Sequence, residues 1–254
     1  MKHGSIMSGI GGFDLAARWM GWENLFTCEI NSFAQGILKK HFPESQHYGD
    51  IKQTNFEKYA GAVDIVSAGV PCQPFSHAGK QLGKSDGRYL WDEYFRCLRE
   101  CLPQWTVAEN VYGLLSTNGG ADFENIAGEM ESIGYEVFPL LLPSALGQVP
   151  HLRQRIWIVG RYFMETDTNT ARRLLGGICE QGKAQGTQCS PIVFGNDARF
   201  SWFQTISRVH GIRNGVSRKL DTSRNRTLGN AIVPQMAYMI FKAIEQTQWK
   251  IYES

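Results

Sequence analysis

"IMSGIGGFDLA", residues 6–16, sets three glycines between the end of an apolar run and the start of a helical pattern. Gly9, Gly11 and Gly12 suit a tight turn that lets a ligand approach bare backbone, as in nucleotide-binding βαβ units. Such a turn also occurs with no ligand, so the residues that follow must decide. No Gly-Lys-Ser/Thr comes after it, which excludes a P-loop. Glu29 closes the next apolar run, 18 residues beyond Gly11, where these folds place the acid that binds ribose hydroxyls. Asp50, in "GDI" (49–51), ends a third short strand in this reading and offers an acceptor to an adenine amino group. Glycine turn, Glu29 and Asp50 together point to an adenosyl ligand.

Outward from that unit, short apolar runs recur: "HGSIM" (3–7), "ENLFTCEI" (23–30), "VDIVSAG" (63–69), "WTVAENV" (105–111), "YEVFPLLL" (135–142) and "RIWIVG" (155–160). Helix-like spacing lies between them. In "LWDEYFRCLRECL" (90–102), Leu90, Tyr94, Cys97, Leu98 and Cys101 share one face. This alternation predicts an α/β fold with a parallel sheet. Residues 163–207 are rich in Gly, Gln, Thr and Asn with few periodic apolar positions, and read as a small insertion. Regularity returns in "GNAIVPQMAYMIFKAIEQ" (229–246), where Ala231, Met236, Met239, Ile240 and Ile244 predict a last helix.

The 254 residues suffice for one domain with such an insertion. No run approaches the 18 or so apolar residues of a membrane span, and the N-terminus lacks the apolar core of a secretory signal. Six cysteines without a short-spaced framework predict free thiols in a reducing compartment. Cys179 and Cys189 have no histidine pair at ligand spacing, so no metal is expected. Residues 1–162 carry 14 Lys and Arg against 17 Asp and Glu, whereas residues 163–254 carry 12 against 7. Arg208 to Arg226 holds six basic residues and one Asp. That run is either a solvated face or a polyanion-binding segment.

"GVPCQPFS" (69–76) places Cys72 between Pro71 and Pro74, straight after the "VDIVSA" strand. The prolines stiffen the backbone on both sides of the thiol. Read alone, this is a structural cysteine in a Pro-rich turn or a nucleophile.

Taken in order, "SGIGGF", "GDI", "PCQPFS", "ENV", "VPHLRQRIWIVG" and "LGNAIVPQ" resemble the signature blocks of DNA (cytosine-5)-methyltransferases, over residues 4–162 and about 225–245. The resemblance implies a Rossmann-like class I S-adenosylmethionine-dependent methyltransferase sheet with an inserted target-recognition region. It divides the chain into a first catalytic part (1–162), a recognition region (163–207), and a basic segment with a C-terminal helix that completes the catalytic domain (208–254). Its catalytic set is Cys72 as the nucleophile on C6 of cytosine, Glu109 at N3 and the exocyclic amine, Arg155 at O2, and Arg153 near the thiolate or a phosphate. Glu109 is expected to be buried and partly protonated, and Asn110 to orient the neighbouring loop. S-adenosyl-L-methionine, leaving as S-adenosyl-L-homocysteine, is the implied cofactor. Met7, Gly9, Gly11, Gly12, Glu29, Ile30, Asp50, Ile51, Leu90, Asn230 and Ala231 are its implied contacts.

Double-stranded DNA is the implied partner, met by Gln73, Ser76 and Lys80 of a closing loop and by Arg208, Arg218 and Arg224. The glycines at 79, 83 and 87 suit a mobile lid. A cytoplasmic, bacterial or phage-encoded monomer follows, with a cognate restriction endonuclease as a companion. Two positions depart from the family pattern: His151 stands where glutamine is usual, and Met7 where an aromatic is common. Phe194, Phe200, Trp202 and Phe203 either pack a minimal core or touch DNA. Competing readings are the same chemistry on tRNA, whose branch typically carries a Cys-Phe-Thr block not found here, a silent DNA-binding relative, and a dinucleotide dehydrogenase.

Overall fold

The computed structural model describes residues 1–71, 90–143, 154–162, 192–193 and 231–249. Each of the six apolar runs forms a strand. These are β1 (Lys2–Ile6), β2 (Glu23–Cys28), β4 (Ile65–Gly69), β5 (Trp105–Val111), β6 (Tyr135–Pro143) and β7 (Gln154–Tyr162); β3 (Gln46–Tyr48) and β8 (Ile192–Val193) are short. One sheet joins them in the order β3-β2-β1-β4-β5-β7-β6-β8. The first five of that order run parallel, while β7 is antiparallel to both β5 and β6, and β8 to β6. β8 falls within the expected insertion, so at least two residues of 163–207 extend the sheet.

Helices α1 (Gly12–Trp19), α2 (Ser32–His41), α3 (Trp91–Cys101), α4 (Ala121–Ile133) and α5 (Pro234–Trp249) flank the sheet. Strand parity divides the core between the two faces. On one face, Ile65, Trp105, Val107, Trp157 and Val159 pack with Phe13, Ala16 and Ala17 of α1 and with Met236, Met239, Ile240, Phe241 and Ile244 of α5. On the other, Val66, Ala68, Ala108, Ile156 and Ile158 meet Tyr94, Cys97, Leu98 and Cys101 of α3 and Ile126 and Met130 of α4. The apolar face read from the spacing of 90–102 is therefore the buried one, with Leu90 half-buried just ahead of the helix.

α5 returns to the start of the chain. Phe241 stacks on Trp22 and Phe13, with centroids 4.9 and 6.0 Å apart, and Trp19 meets Tyr238 edge-on. Ile232, just before α5, lies against the opening of α1. A Cβ on Gly12 would sit 2.6 Å from the Ile232 carbonyl oxygen.

Strand order reverses at β1, which has β2 on one side and β4 on the other. In open α/β sheets ligands bind beyond the carboxyl ends of the strands at such a point. Here those ends lead into Met7–Gly9 and Gly69–Pro71. Among the described residues Cys28, Cys97 and Cys101 are free thiols. Among the described residues no helix is long and apolar enough to cross a membrane, and no cluster of three metal-ligating side chains occurs.

Candidate active site

The glycine turn is built on left-handed backbone. Met7, Gly9 and Gly11 have φ of 50°, 56° and 86°. The turn is fixed from below by Ser8, whose backbone N–H and Oγ donate to the Cys28 carbonyl while its Oγ accepts from the Cys28 N–H. Gly9 has positive φ, and among the described residues a Cβ there would meet nothing within 4 Å. That open space is what a ligand approaching the backbone requires.

Glu29 lies where the spacing predicts. Its Oε2 accepts from the Gly9 N–H at 2.8 Å and its Oε1 from the Asn31 N–H at 2.8 Å. A carboxylate has about four acceptor positions, so capacity remains for a pair of hydroxyls. Ile30 beside it is 71% exposed, an apolar surface at the rim of the turn. Asp50 does not end a strand as expected. β3 stops at Tyr48, and Asp50 caps a single 3₁₀ turn (Ile51–Gln53), its Oδ1 accepting from the Lys52 N–H at 3.0 Å. The reason is local: an Asp side chain readily accepts from the N–H two residues on, which ends the extended run. Ile51 turns inward and joins the core. A half-exposed Glu29, a half-exposed Asp50, bare glycine backbone and exposed Ile30 form a donor and acceptor set that fits an adenosyl group.

Glu109 and Arg155 meet. Glu109 pairs in register with Gly69 on β4 and Trp157 on β7, and Arg155 pairs with Val111. The two are thus diagonal neighbours on one face of antiparallel strands. Arg155 Nε lies 2.8 Å from Glu109 Oε1, with side chains 17% and 10% exposed. The Nε–H is not aimed at that oxygen, so the contact is an ion pair rather than a linear hydrogen bond. The Arg155 Nη1 donates to the Gln154 carbonyl at 3.0 Å. Glu109 is buried, as expected.

Asn110 is also buried. Its Nδ2 donates to the Val70 carbonyl at 3.2 Å, and its Oδ1 accepts from the Val111 N–H at 2.8 Å. β5 is thereby tied to the backbone two residues ahead of Cys72. Cys72 itself, Gln73, Ser76, Lys80, Arg153, Arg208, Arg218, Arg224 and Asn230 lie outside the described residues. Ala231, next to Asn230, is half-buried beside Ile232.

Under the turn lies a polar cluster that sequence reasoning missed. Asp14, wholly buried on α1, accepts from Ser5 Oγ at 2.8 and 3.0 Å. His3 contacts Asn24 Oδ1 and Ser67 Oγ at 2.7 Å each, and Ser5 Oγ lies 2.6 Å from Ser8 Oγ. Burial pushes Asp14 up to about 7 and His3 down to about 4, so both are neutral near pH 6 despite a 3.9 Å separation. The signal was Asp14 itself, one position from Phe13 and two and three from Ala16 and Ala17 on an inward-facing stripe.

The chain matches the profile of C-5 cytosine-specific DNA methylases over residues 1–173. It belongs to that family. Among curated proteins, the Type II methyltransferase M.Eco47II of Escherichia coli is 38% identical over 157 residues, 61% of this chain and 38% of that protein. M.HhaI of Haemophilus parahaemolyticus is 34% identical over 155 residues, 61% of this chain and 47% of that protein. The chain thus spans less than half the length of these methylases. Among solved structures, a variant of Spodoptera frugiperda DNMT2 superposes with a TM-score of 0.51 at 25% identity, covering 65% of this chain and 53% of that one. A prophage-encoded E. coli DNA modification methyltransferase gives 0.53 at 24% identity, covering 64% and 47%. The sheet is that of the C5 methylases and of class I methyltransferases.

Proposed function

We propose that the protein transfers a methyl group from S-adenosylmethionine to C5 of a cytosine extruded from double-stranded DNA, with Cys72 as nucleophile. The observation that carries this reading is the Glu109–Arg155 ion pair. It stands one strand from the β4 terminus that runs into Cys72, beside a glycine turn suited to an adenosyl group.

When bound, S-adenosylmethionine supplies an electrophilic methyl group; the turn from Met7 to Gly12, Glu29, Ile30, Asp50 and Leu90 would hold it, with Asn230 and Ala231 closing the pocket. Cytosine C5 is a poor nucleophile, and the chain's task is to activate it. The Cys72 thiolate forms a bond to C6, and the electron pair of the C5–C6 double bond moves towards N3 and O2. Glu109 hydrogen-bonds or protonates N3 and accepts from the exocyclic amine, while Arg155 faces the charge gathering at O2. C5 then has enamine character. After methylation the C5 proton leaves to a base, the electron pair reforms the double bond, and the Cys72–C6 bond breaks to return the thiolate. Asn110 fixes the Val70 carbonyl and with it the approach of the cysteine segment.

Extruding a nucleotide costs a few kcal/mol, which phosphate contacts from the 208–226 segment and the 73–80 loop would offset. The protein would act in the cytoplasm as a monomer, with a restriction endonuclease as companion. The test is bisulfite sequencing of plasmid DNA from expressing cells beside a Cys72→Ala control. The expected result is protection of cytosines in one sequence context by the wild type alone. No protection in either sample, with methylation of tRNA instead, would overturn the DNA reading.

A further inference from the structure

The segment carrying Asp50 has little regular structure of its own. Its 3₁₀ turn spans three residues, and the backbone from Thr54 to Phe56 is irregular. Segments of this kind drift unless something outside holds their polar groups. Here that something is α3. Arg96 Nη2 donates to the Ile51 carbonyl at 2.6 Å and Nη1 to the Thr54 carbonyl at 3.0 Å. Its guanidinium also lies 5.9 Å from the centroid of the Phe56 ring.

The same helix takes the opposite polarity as well. Glu100 Oε2 accepts from the Phe56 N–H at 2.7 Å. The guanidinium is itself oriented by two carboxylates on its own helix, Glu93 at 2.8 Å and Glu100 at 2.5 Å. Within the segment, Thr54 Oγ1 donates to the Asp50 carbonyl at 2.8 Å, which links the clamp to Asp50. Arg96 thus fills two carbonyls on the far side of the turn that Asp50 caps.

We infer that Arg96, held by Glu93 and Glu100, is a positioning residue for the methyl-donor pocket, acting through the Ile51 and Thr54 carbonyls to set the carboxylate of Asp50. A planar fork with fixed donors spans two carbonyls in a way that a lysine ammonium does not. α3 begins directly after the segment that carries Cys72, so one rigid helix bears on both the donor pocket and the strand exit that leads to the nucleophile. The inference rests on the adenosyl reading of that pocket.

The experiment is calorimetric titration of the full chain with S-adenosylhomocysteine, and steady-state methylation with varied S-adenosylmethionine, for wild type, Arg96→Ala, Arg96→Lys and Glu93→Gln. Arg96→Ala is expected to weaken S-adenosylhomocysteine binding and raise the donor KM about tenfold, with kcat at saturating donor within about twofold. Arg96→Lys, which keeps the charge between the two glutamates, should weaken binding about threefold, and Glu93→Gln less still. Should Arg96→Ala not fold, Arg96→Lys decides. Unchanged affinity in Arg96→Lys, or a fall in kcat with donor affinity intact, overturns the positioning role alone. A wild type that binds no S-adenosylhomocysteine overturns the adenosyl reading, and this inference with it.

Discussion

Glu109 and Arg155 form an ion pair among the described residues, and the roles proposed for them are separable by mutation. Glu109→Gln keeps an acceptor oxygen but cannot supply a proton or a full negative charge to N3. Methylation should fall by about 10²-fold or more, with S-adenosylhomocysteine affinity unchanged, since general acid and base groups contribute about that much. Single-turnover methylation beside calorimetry checks it; equal loss in both would place Glu109 in cofactor binding instead. His3 and Asp14 raise a different matter, since the proposed chemistry gives neither a role. In the unfolded chain Asp14 is charged above about 3.8 and His3 below about 6.5; folded, Asp14 stays protonated to about 7 and His3 stays neutral down to about 4. Across pH 4 to 6.5 the folded and unfolded states therefore bind the same number of protons at this pair, and its slopes cancel. The raised Asp14 alone makes stability fall as pH rises, and the lowered His3 alone makes it rise. Each would be worth about 3–4 kcal/mol. Urea unfolding of His3→Gln should show stability falling from pH 4 to 7, and of Asp14→Asn rising from pH 4 to 6.5. Parallel profiles in the two variants would contradict the pairing.

At the level of elements, α5 approaches α1 beside the proposed donor pocket. Gly12 is in ordinary helical backbone, so its need for hydrogen is steric: a Cβ would stand 2.6 Å from the Ile232 carbonyl oxygen and 2.8 Å from its Cβ. Neither atom is the loose end of a side chain. Gly12→Ala must therefore push α5 off α1, at a cost of about 1–3 kcal/mol. A drop in Tm together with weaker S-adenosylhomocysteine binding is the expected outcome, and an unchanged Tm would show that the contact is not maintained. The same elements show what was legible beforehand. Strands such as "VDIVSAG" and "RIWIVG" are dense in branched apolar residues, and their period is visible in a single chain. The glycine turn and Glu29 were legible because their spacing follows the βα unit they belong to. Arg96 was not. Its spacing from Glu93 and Glu100 reads as ordinary i, i+3 and i, i+4 surface pairing, and its carbonyl partners lie more than 40 residues away. Asp50 reads as a strand end from residue type alone, because capping depends on where its carboxylate points.

On the scale of the whole molecule, charge and sheet order divide the labour. The described α/β core lies within the part of the chain that carries a slight acidic excess, apart from β8 and α5, and the basic excess belongs to residues 163–254. Polyanion binding by the acidic part alone would be opposed by its own charge, so in the proposed function the 208–226 segment would supply the attraction for DNA. Each phosphate neutralised by a Lys or Arg steepens the fall of log affinity with log salt by about 0.9. Replacing Arg208, Arg218 and Arg224 together by Gln should flatten that slope by up to about 3, measured by fluorescence anisotropy of a duplex between 50 and 200 mM salt. Affinity should fall by a similar factor on every duplex sequence, because phosphate contacts carry no base information. S-adenosylhomocysteine binding, proposed at the β1–β4 switch point, should not move. A slope unchanged by the triple substitution would assign the basic run to the solvated face and shift the phosphate contacts to the lysines of the 73–84 stretch.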